Sequence, residues 1–426
     1  MFDSINIKIQ KAKETGFFHI MISSIIKNIL AFIAGIVIVR VISKSDYGIY
    51  SYANNIISYF TLFSGLGISS AVFQVCCERR KNGEIPNNIF EYGVTWGHII
   101  NAIIGIIIII YSLFCPSGIY GAEKYLISMS FIPVVNIAFE LTTIYFRSKS
   151  DNKNYAYVYL VSAVSTFVFS IIGSLIFGVW GMIISNYLTP VIAISFARIK
   201  KGYKPSFVVK IEKKDSIDIW KLAITSMTAN AISSVMYLID ISMMGLYLKD
   251  ELEIASYKVA TTIPTALVFL ATTLVSYVYP YFAEHINDIK WTKSMAKKLL
   301  LASCGVFGLI SFLLFVLAYP IVTIIFGAQY ADAVGVFRVL SMSFFFQCTF
   351  RIISGNLLVS QRRLKFNLIE GILTGIINIV GDYFLIQQFK AEGVAMATLI
   401  VMIFSGVLAT SYYFYVLNKK EKSFLN

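Results

Sequence analysis

Nine ionisable side chains lie well inside stretches that are otherwise apolar enough to cross a membrane. Counted from the segment ends at ~1.5 Å per residue, they form two layers. Arg40, Asp240, Lys258, Arg338 and Asp382 lie toward one side, and Lys27, Glu140, Arg351 and Glu370 toward the other. A charge at membrane depth is costly and rare, so each is a candidate for function. Both signs occur in each layer, as expected of two ion-paired gates flanking a cavity. The cations can neutralise and hydrogen-bond an anion, arginine through a bidentate fork. The carboxyls can bind H⁺ or Na⁺ once desolvated. Arg40 and Lys258 sit near segment ends, where snorkelling to the headgroups is the competing reading, and Lys27 could snorkel to the opposite face. Asp240, Arg351 and Glu370 lie too deep for that, and their rival is a structural ion pair.

Twelve apolar segments must position these groups: 17–42, 49–75, 92–114, 124–146, 155–177, 178–197, 219–247, 255–282, 299–326, 331–358, 366–388 and 393–417. Each can cross a ~30 Å hydrocarbon core as a helix, the form that satisfies every backbone group internally. Orientation follows from the loops. With the N-terminus cytoplasmic, 27 of the 36 Lys and Arg residues fall in inner loops and tails. Only Lys44, Lys124, Lys249 and Lys390 then lie outside, as the positive-inside rule requires. Both termini are therefore expected to be cytoplasmic. Residues 1–16 are polar, with Lys8, Lys11 and Lys13 and no small-residue cleavage site, so the first segment reads as a retained helix.

Hydrophobic residues make up 57% of the chain and charged ones 14%, which excludes a soluble globular domain. The net charge of +13 sits in short inner loops such as Arg79-Arg80-Lys81 and Arg362-Arg363. That is the signature of orientation and anionic-leaflet contact, not of nucleic-acid binding. Five cysteines without CxxC spacing read as small apolar filler. His19, His98 and His285 are mutually remote, without zinc spacing, and neither a P-loop nor a Gly-x-Ser-x-Gly elbow occurs. The chain is thus expected to be no enzyme and to need no cofactor or metal.

The longest inner connection, about 198–218, separates six segments from six. It reads as a linker between duplicated halves at 1–197 and 219–426. Self-comparison agrees: IYSY at 49–52 matches IASY at 254–257, a separation of 205. Gly181 aligns with Gly393, and Lys153 with Lys365, both at 212. Six is even, so the halves insert with the same orientation and relate by an axis along the membrane normal. The expected fold is all-α and integral to the membrane: twelve transmembrane helices in two six-helix bundles with a central cleft.

One stretch is more specific. IVIVRVISKSDYGIYSYANNI (36–56) resembles the N-terminal signature of the polysaccharide flippases: a helix ending in Arg-x-Leu/Ile, a polar turn, then Tyr-Gly-x-Tyr-Ser. VMYLIDISMMGLYLKDELEIASYKVA (235–260) is similar to its second-half counterpart, and the GVWG and AEGVAMAT openings of helices six and twelve fit as well. The resemblance is to the O-antigen or capsule repeat-unit flippases (Wzx-like), in the superfamily that also holds multidrug extruders and lipid II flippases. Two departures matter. Twelve helices are fewer than the fourteen of lipid II flippases, and residues 17–42 lack the proline common in drug extruders. The resemblance implies a carrier of undecaprenyl-diphosphate-linked oligosaccharide in a bacterial inner membrane, coupled to H⁺ or Na⁺. It implies the polymerase and chain-length proteins of that pathway as possible partners. The pyrophosphate would then be met by Arg40, Arg338 and Arg351, with Lys258 beside them and Arg147 recruiting at the inner mouth. Glu140, Asp240, Glu370 and Asp382 would gate or take the coupling ion. A multidrug extruder or a membrane polysaccharide polymerase is the alternative, and the polymerase is disfavoured by outer connections of only about ten residues.

Overall fold

The computed structural model describes residues 17–81, 87–115, 118–208 and 210–425. The N-terminal stretch with Lys8, Lys11 and Lys13 lies outside the described residues. Helices make up nearly all of the rest, and no strand occurs among the described residues. In chain order they are α1 (Phe17–Val41), α2 (Lys44–Thr61), α3 (Ile68–Lys81), α4 (Asn87–Phe114), α5 (Ala122–Met129), α6 (Ile132–Ser148), α7 (Asn152–Phe177) and α8 (Val179–Lys201). There follow α9 (Lys213–Tyr247), α10 (Glu251–Glu284), α11 (Ile289–Val316), α12 (Ala318–Ile325), α13 (Ala333–Phe346), α14 (Ile352–Ser360) and α15 (Leu364–Leu425). Ten stretches among the described residues are long and apolar enough to span a membrane. The last of them, and α15 with it, reverses at Lys390, which has φ 50° and ψ −130°. With α15 divided there and α9 added, the twelve expected spans are accounted for, and the protein is a multi-pass membrane protein.

Four expected segments are not continuous helices, and the ninth of the twelve breaks at Leu317, between α11 and α12. The second breaks at a 3₁₀ turn, Ser64–Gly67, where Gly65, Leu66 and Gly67 all have positive φ. The fourth divides between α5 and α6, where Pro133 near the start of α6 lacks the N–H that continuation would need. The tenth carries one π turn, Gln347–Arg351, between α13 and α14. Such turns insert a residue into the helical register and recur at functional sites.

The chain forms two compact units, Met1–Leu238 and Ile239–Asn426. In the first, α3, α4, α6 and α7 surround buried Ile68, Val72, Val94 and Leu141. The 198–218 connection docks on this unit. Tyr203 is buried among Phe90, Tyr145 and Phe146, with ring centroids 5.1–6.4 Å away, and burial pushes its phenol up to about 12. Val208 N–H donates to Thr95 Oγ1 at 2.9 Å, and Arg79 pairs with Asp215. In the second unit, α10, α11, α13, α14 and the far limb of α15 enclose Phe282, Phe344, Leu358 and Tyr413.

Lipid is as apolar as leucine, so helices in a bilayer associate through close packing. Small residues permit it at matching places in both halves. A Cβ on Gly181 would stand 1.9 Å from the Gly173 carbonyl oxygen, and one on Gly393 would stand 2.2 Å from that of Leu385. Position 173 corresponds to 385, and 181 to 393, at the separation of 212 found in the sequence. The turns between these helices match too: Gly178 has φ 58° and ψ −132°, and its counterpart Lys390 has nearly the same angles. Only glycine adopts that region without steric cost. Lys390 therefore carries backbone strain that its exposed contact with Glu253, at 3.2 Å, offsets weakly. The two turns predict opposite responses. Gly178→Ala should destabilise the protein by ~1–3 kcal/mol, whereas Lys390→Gly should raise the melting midpoint of the detergent-solubilised protein. A fall in both variants would show that the shared turn geometry is wrong.

Candidate functional site

The densest buried polar cluster lies in the second unit, where α9, α10 and both limbs of α15 contribute. Asp240 on α9 accepts at Oδ2 from the Tyr257 hydroxyl on α10 and from Thr398 Oγ1, the latter at 3.1 Å. Its Oδ1 accepts from Asn378 Nδ2 at 3.2 Å. The same amide donates to Asp382 Oδ2 at 3.2 Å, one helical turn further along α15. Asp382 is fully buried, and its other oxygen, Oδ1, has no hydrogen-bond partner. Two 3.2 Å bonds to one nitrogen hold the carboxylates within about 6 Å of each other. At that distance two full charges repel by about 3 kcal/mol at an effective dielectric near 20. The pair thus calls for one positive charge, as a proton or a small cation. An amide's oxygen and nitrogen can exchange places by a flip. With the Asn378 oxygen turned inward, the cluster offers only oxygens: two carboxylates, an amide and two hydroxyls, the donor set of a hard cation. No group of three or more His, Cys, Asp or Glu suited to a metal occurs among the described residues.

The halves differ at this point. At the separation of 212, Asn378, Asp382 and Thr398 correspond to Thr166, Ser170 and Asn186. Ser170 is buried with its hydroxyl unsatisfied, as Asp382 is with one oxygen. Asn186 Nδ2 donates to Tyr50 OH at 3.3 Å. The first half keeps polar residues at these positions and lacks the carboxylate.

In the same unit, Arg351 closes the π turn with Nε 3.7 Å from Glu370 Oε1. That is ion-pair range but too long for a hydrogen bond. Glu370 is held instead by Ser405 Oγ, which donates to the same oxygen. The Arg351 Nη1 atom reaches only Met402 sulfur, at 3.6 Å. A guanidinium so loosely held retains its planar fork for an anion. Ser354, three residues beyond Arg351, is fully buried, and its hydroxyl bonds that of Thr410 at 2.7 Å. Lys258 lies seven residues into α10, about 10 Å along the helix. It is half-buried and has no carboxylate partner among the described residues.

In the first unit, Arg147 lies over the rings of Phe73 and Tyr155, with its guanidinium carbon 4.6 and 5.6 Å from their centroids. Tyr155 stacks on Tyr159 at 5.4 Å, and Lys27 Nζ donates to the Tyr159 hydroxyl at 2.9 Å. Glu140 accepts from Ser69 Oγ at 2.7 Å. Arg40 is exposed in the last turn of α1, where a cation meets the negative end of the helix dipole. The signature that follows it builds the turn between α1 and α2: Ser43 caps α2 through Asp46 N–H, and Tyr52 accepts from Gly118 N–H. Arg338 stands apart from these clusters, exposed on α13 over the Phe315 ring.

The sequence reading picked Asp240 and Asp382 but not Asn378, Thr398 or Tyr257. Asn378 and Asp382 are four residues apart on one helix face, the signal that could have joined them. Ser69, Tyr159 and Ser405 carried no signal among the many hydroxyls of this chain.

Comparison with known proteins agrees with this architecture. A search of curated proteins returns no match. Among solved structures, an inward-facing multidrug resistance MATE family transporter of the MOP superfamily is similar at a TM-score of 0.73 and 15% identity. The match covers 93% of this chain and 96% of that one. The lipid II flippase MurJ in an inward closed conformation is similar at 0.68 and 17%, covering 92% and 86%. A MOP superfamily transporter from Pyrococcus furiosus is similar at 0.55 and 13%, covering 96% of each chain. The fold is that of the MOP superfamily transporters. Residues 36–335 match the family described as polysaccharide biosynthesis protein, and the chain belongs to that family.

Proposed function

We propose that the protein is a flippase that carries undecaprenyl-diphosphate-linked oligosaccharide, an O-antigen or capsule repeat unit, from the cytoplasmic to the periplasmic leaflet. Alternating access moves the substrate, and a cation bound at Asp240 and Asp382 drives the cycle. The protein sits in a bacterial inner membrane with both termini cytoplasmic, the orientation favoured by its basic loops. The observation that carries this reading is Lys258: a cation at membrane depth without a carboxylate partner is tolerated where it meets an anion. Arg351, held only by the 3.7 Å pairing with Glu370 and the Met402 sulfur, supplies the second contact for a pyrophosphate. Arg147, held between aromatic rings, and Arg40 are placed for capture and release at the two mouths. Cations at these positions suit a lipid diphosphate and oppose the cationic substrates of a drug extruder.

Depleting the protein should leave lipid-linked repeat units on the cytoplasmic leaflet while their synthesis continues. Single repeat units maturing on the cell surface would instead make it a polymerase. Complementation should fail with Lys258→Gln and Arg351→Ala at normal membrane levels, and Arg351→Lys should restore part of the surface polysaccharide. Full restoration by Arg351→Ala would remove that residue from the substrate path.

The coupling site has its own test, thermal unfolding of purified protein in Na⁺ against an impermeant organic cation, and across pH. A ligand that binds only the folded state stabilises it by about 2.7 kcal/mol at one hundred times its Kd. Wild type should gain stability with Na⁺, or with acid if the proton is the coupling ion. Asp382→Asn should lose that response, and Ser170→Ala in the uncharged counterpart should keep it. An Asp382→Asn protein that still responds would refute the site.

A further inference from the structure

A groove on the apolar flank of the second unit has a cation at its head. It has a volume of about 420 Å³ and runs between α11 and α13, lined by Phe312, Phe315, Met342, Phe345 and Phe346. Its floor is open because position 308 is glycine, and the nearest atom to a Cβ built there is a Phe345 ring carbon at 3.5 Å. The floor is also free of unmet polar atoms: Ser311 Oγ turns away and donates to the Ser341 carbonyl at 2.7 Å. Phe312 is 63% exposed, so the groove opens to the surroundings and is not filled by the protein.

Arg338 marks the head of this groove. Its guanidinium carbon lies 5.7 Å over the ring of Phe315, itself a lining residue. It is exposed, and no carboxylate among the described residues lies within ion-pair reach. It stands five residues into α13, about 8 Å below that helix's start, from which a long side chain snorkels to headgroup level. From Arg338 to Phe346 the groove runs about 12 Å down the helix. A phosphate at the head and a hydrocarbon chain along the floor meet every surface with its complement.

We propose that this groove binds one anionic phospholipid of the outer leaflet, with an acyl chain between α11 and α13 and its phosphate on Arg338. The charged head distinguishes it from the groove lined by Ile400, Phe404 and Val407, whose lining carries no charge. The site lies outside the Lys258 and Arg351 clusters and assigns Arg338 a role separate from transport of the substrate. The leaflet follows from the orientation proposed above, whereas the binding itself does not depend on it.

Native mass spectrometry of the detergent-purified protein, titrated with phosphatidylglycerol or with zwitterionic phosphatidylethanolamine, tests the site. Wild type should bind phosphatidylglycerol more tightly. Arg338→Gln should weaken that binding about tenfold and abolish the preference between the lipids. Gly308→Leu, which fills the floor, should weaken both, while Gly308→Ala, whose Cβ makes only ordinary contact, should bind as wild type does. Unchanged phosphatidylglycerol binding in Arg338→Gln would overturn the proposal. So would a co-purified polyprenyl phosphate that Gly308→Leu displaces, since the groove would then hold the substrate's own tail.

Discussion

Two carboxylates bonded to one amide in a water-poor interior impose the condition on which the second half depends. Asp240 and Asp382 cannot both stay ionised without a compensating positive charge. The cluster draws α9, α10 and both limbs of α15 to a single point. Whatever cation enters must alter the packing of those helices together. Tyr257 and Thr398 share one Asp240 oxygen, so releasing or tightening that carboxylate is felt at once on two other helices. A coupling ion needs such an element: few contacts, each on a different helix, all sensitive to one charge.

The positions that match at a separation of 212 make the same point by contrast. Both halves keep the close glycine contact and the same turn between their last two helices, at positions 178 and 390. Backbone geometry has survived where side-chain chemistry has diverged. Where the second half has Asp382, the first has Ser170, and the first half instead gathers Arg147 and Lys27 against stacked tyrosines. In the proposed cycle the second half holds the coupling site together with Lys258 and Arg351, while the first contributes Arg147 and Arg40 for capture and release.

Much of this was legible in the sequence because a membrane makes crude signals strong. Twenty-residue apolar runs and basic loops mark the spans, and a charge inside one is conspicuous. Asp240, Asp382, Arg351 and Glu370 were all marked on that ground, and the resemblance around Arg40 to Tyr52 agrees with the family match. The breaks inside the spans were not legible. Nothing in the hydropathy of 49–75 marks the 3₁₀ turn, although its Gly65 and Gly67 could have, and the π turn before Arg351 follows from packing. Neutral partners were hidden for a different reason. Asparagine, threonine and tyrosine are common here, and only the fold shows that Asn378, Thr398 and Tyr257 converge on a carboxylate. Arg338 was grouped with the substrate cations by its depth alone, and the structure sets it over Phe315 beside an apolar groove.

In the proposed cycle a cation at Asp240 and Asp382 drives a lipid diphosphate across the bilayer. Purified protein in sealed vesicles, loaded with a fluorescent lipid-linked oligosaccharide on one leaflet, tests it most directly. Movement to the opposite leaflet should accelerate when an inward-directed Na⁺ or H⁺ gradient is imposed, and Asp382→Asn should lose that acceleration. Equal rates with and without either gradient, or acceleration that persists in Asp382→Asn, would contradict the account.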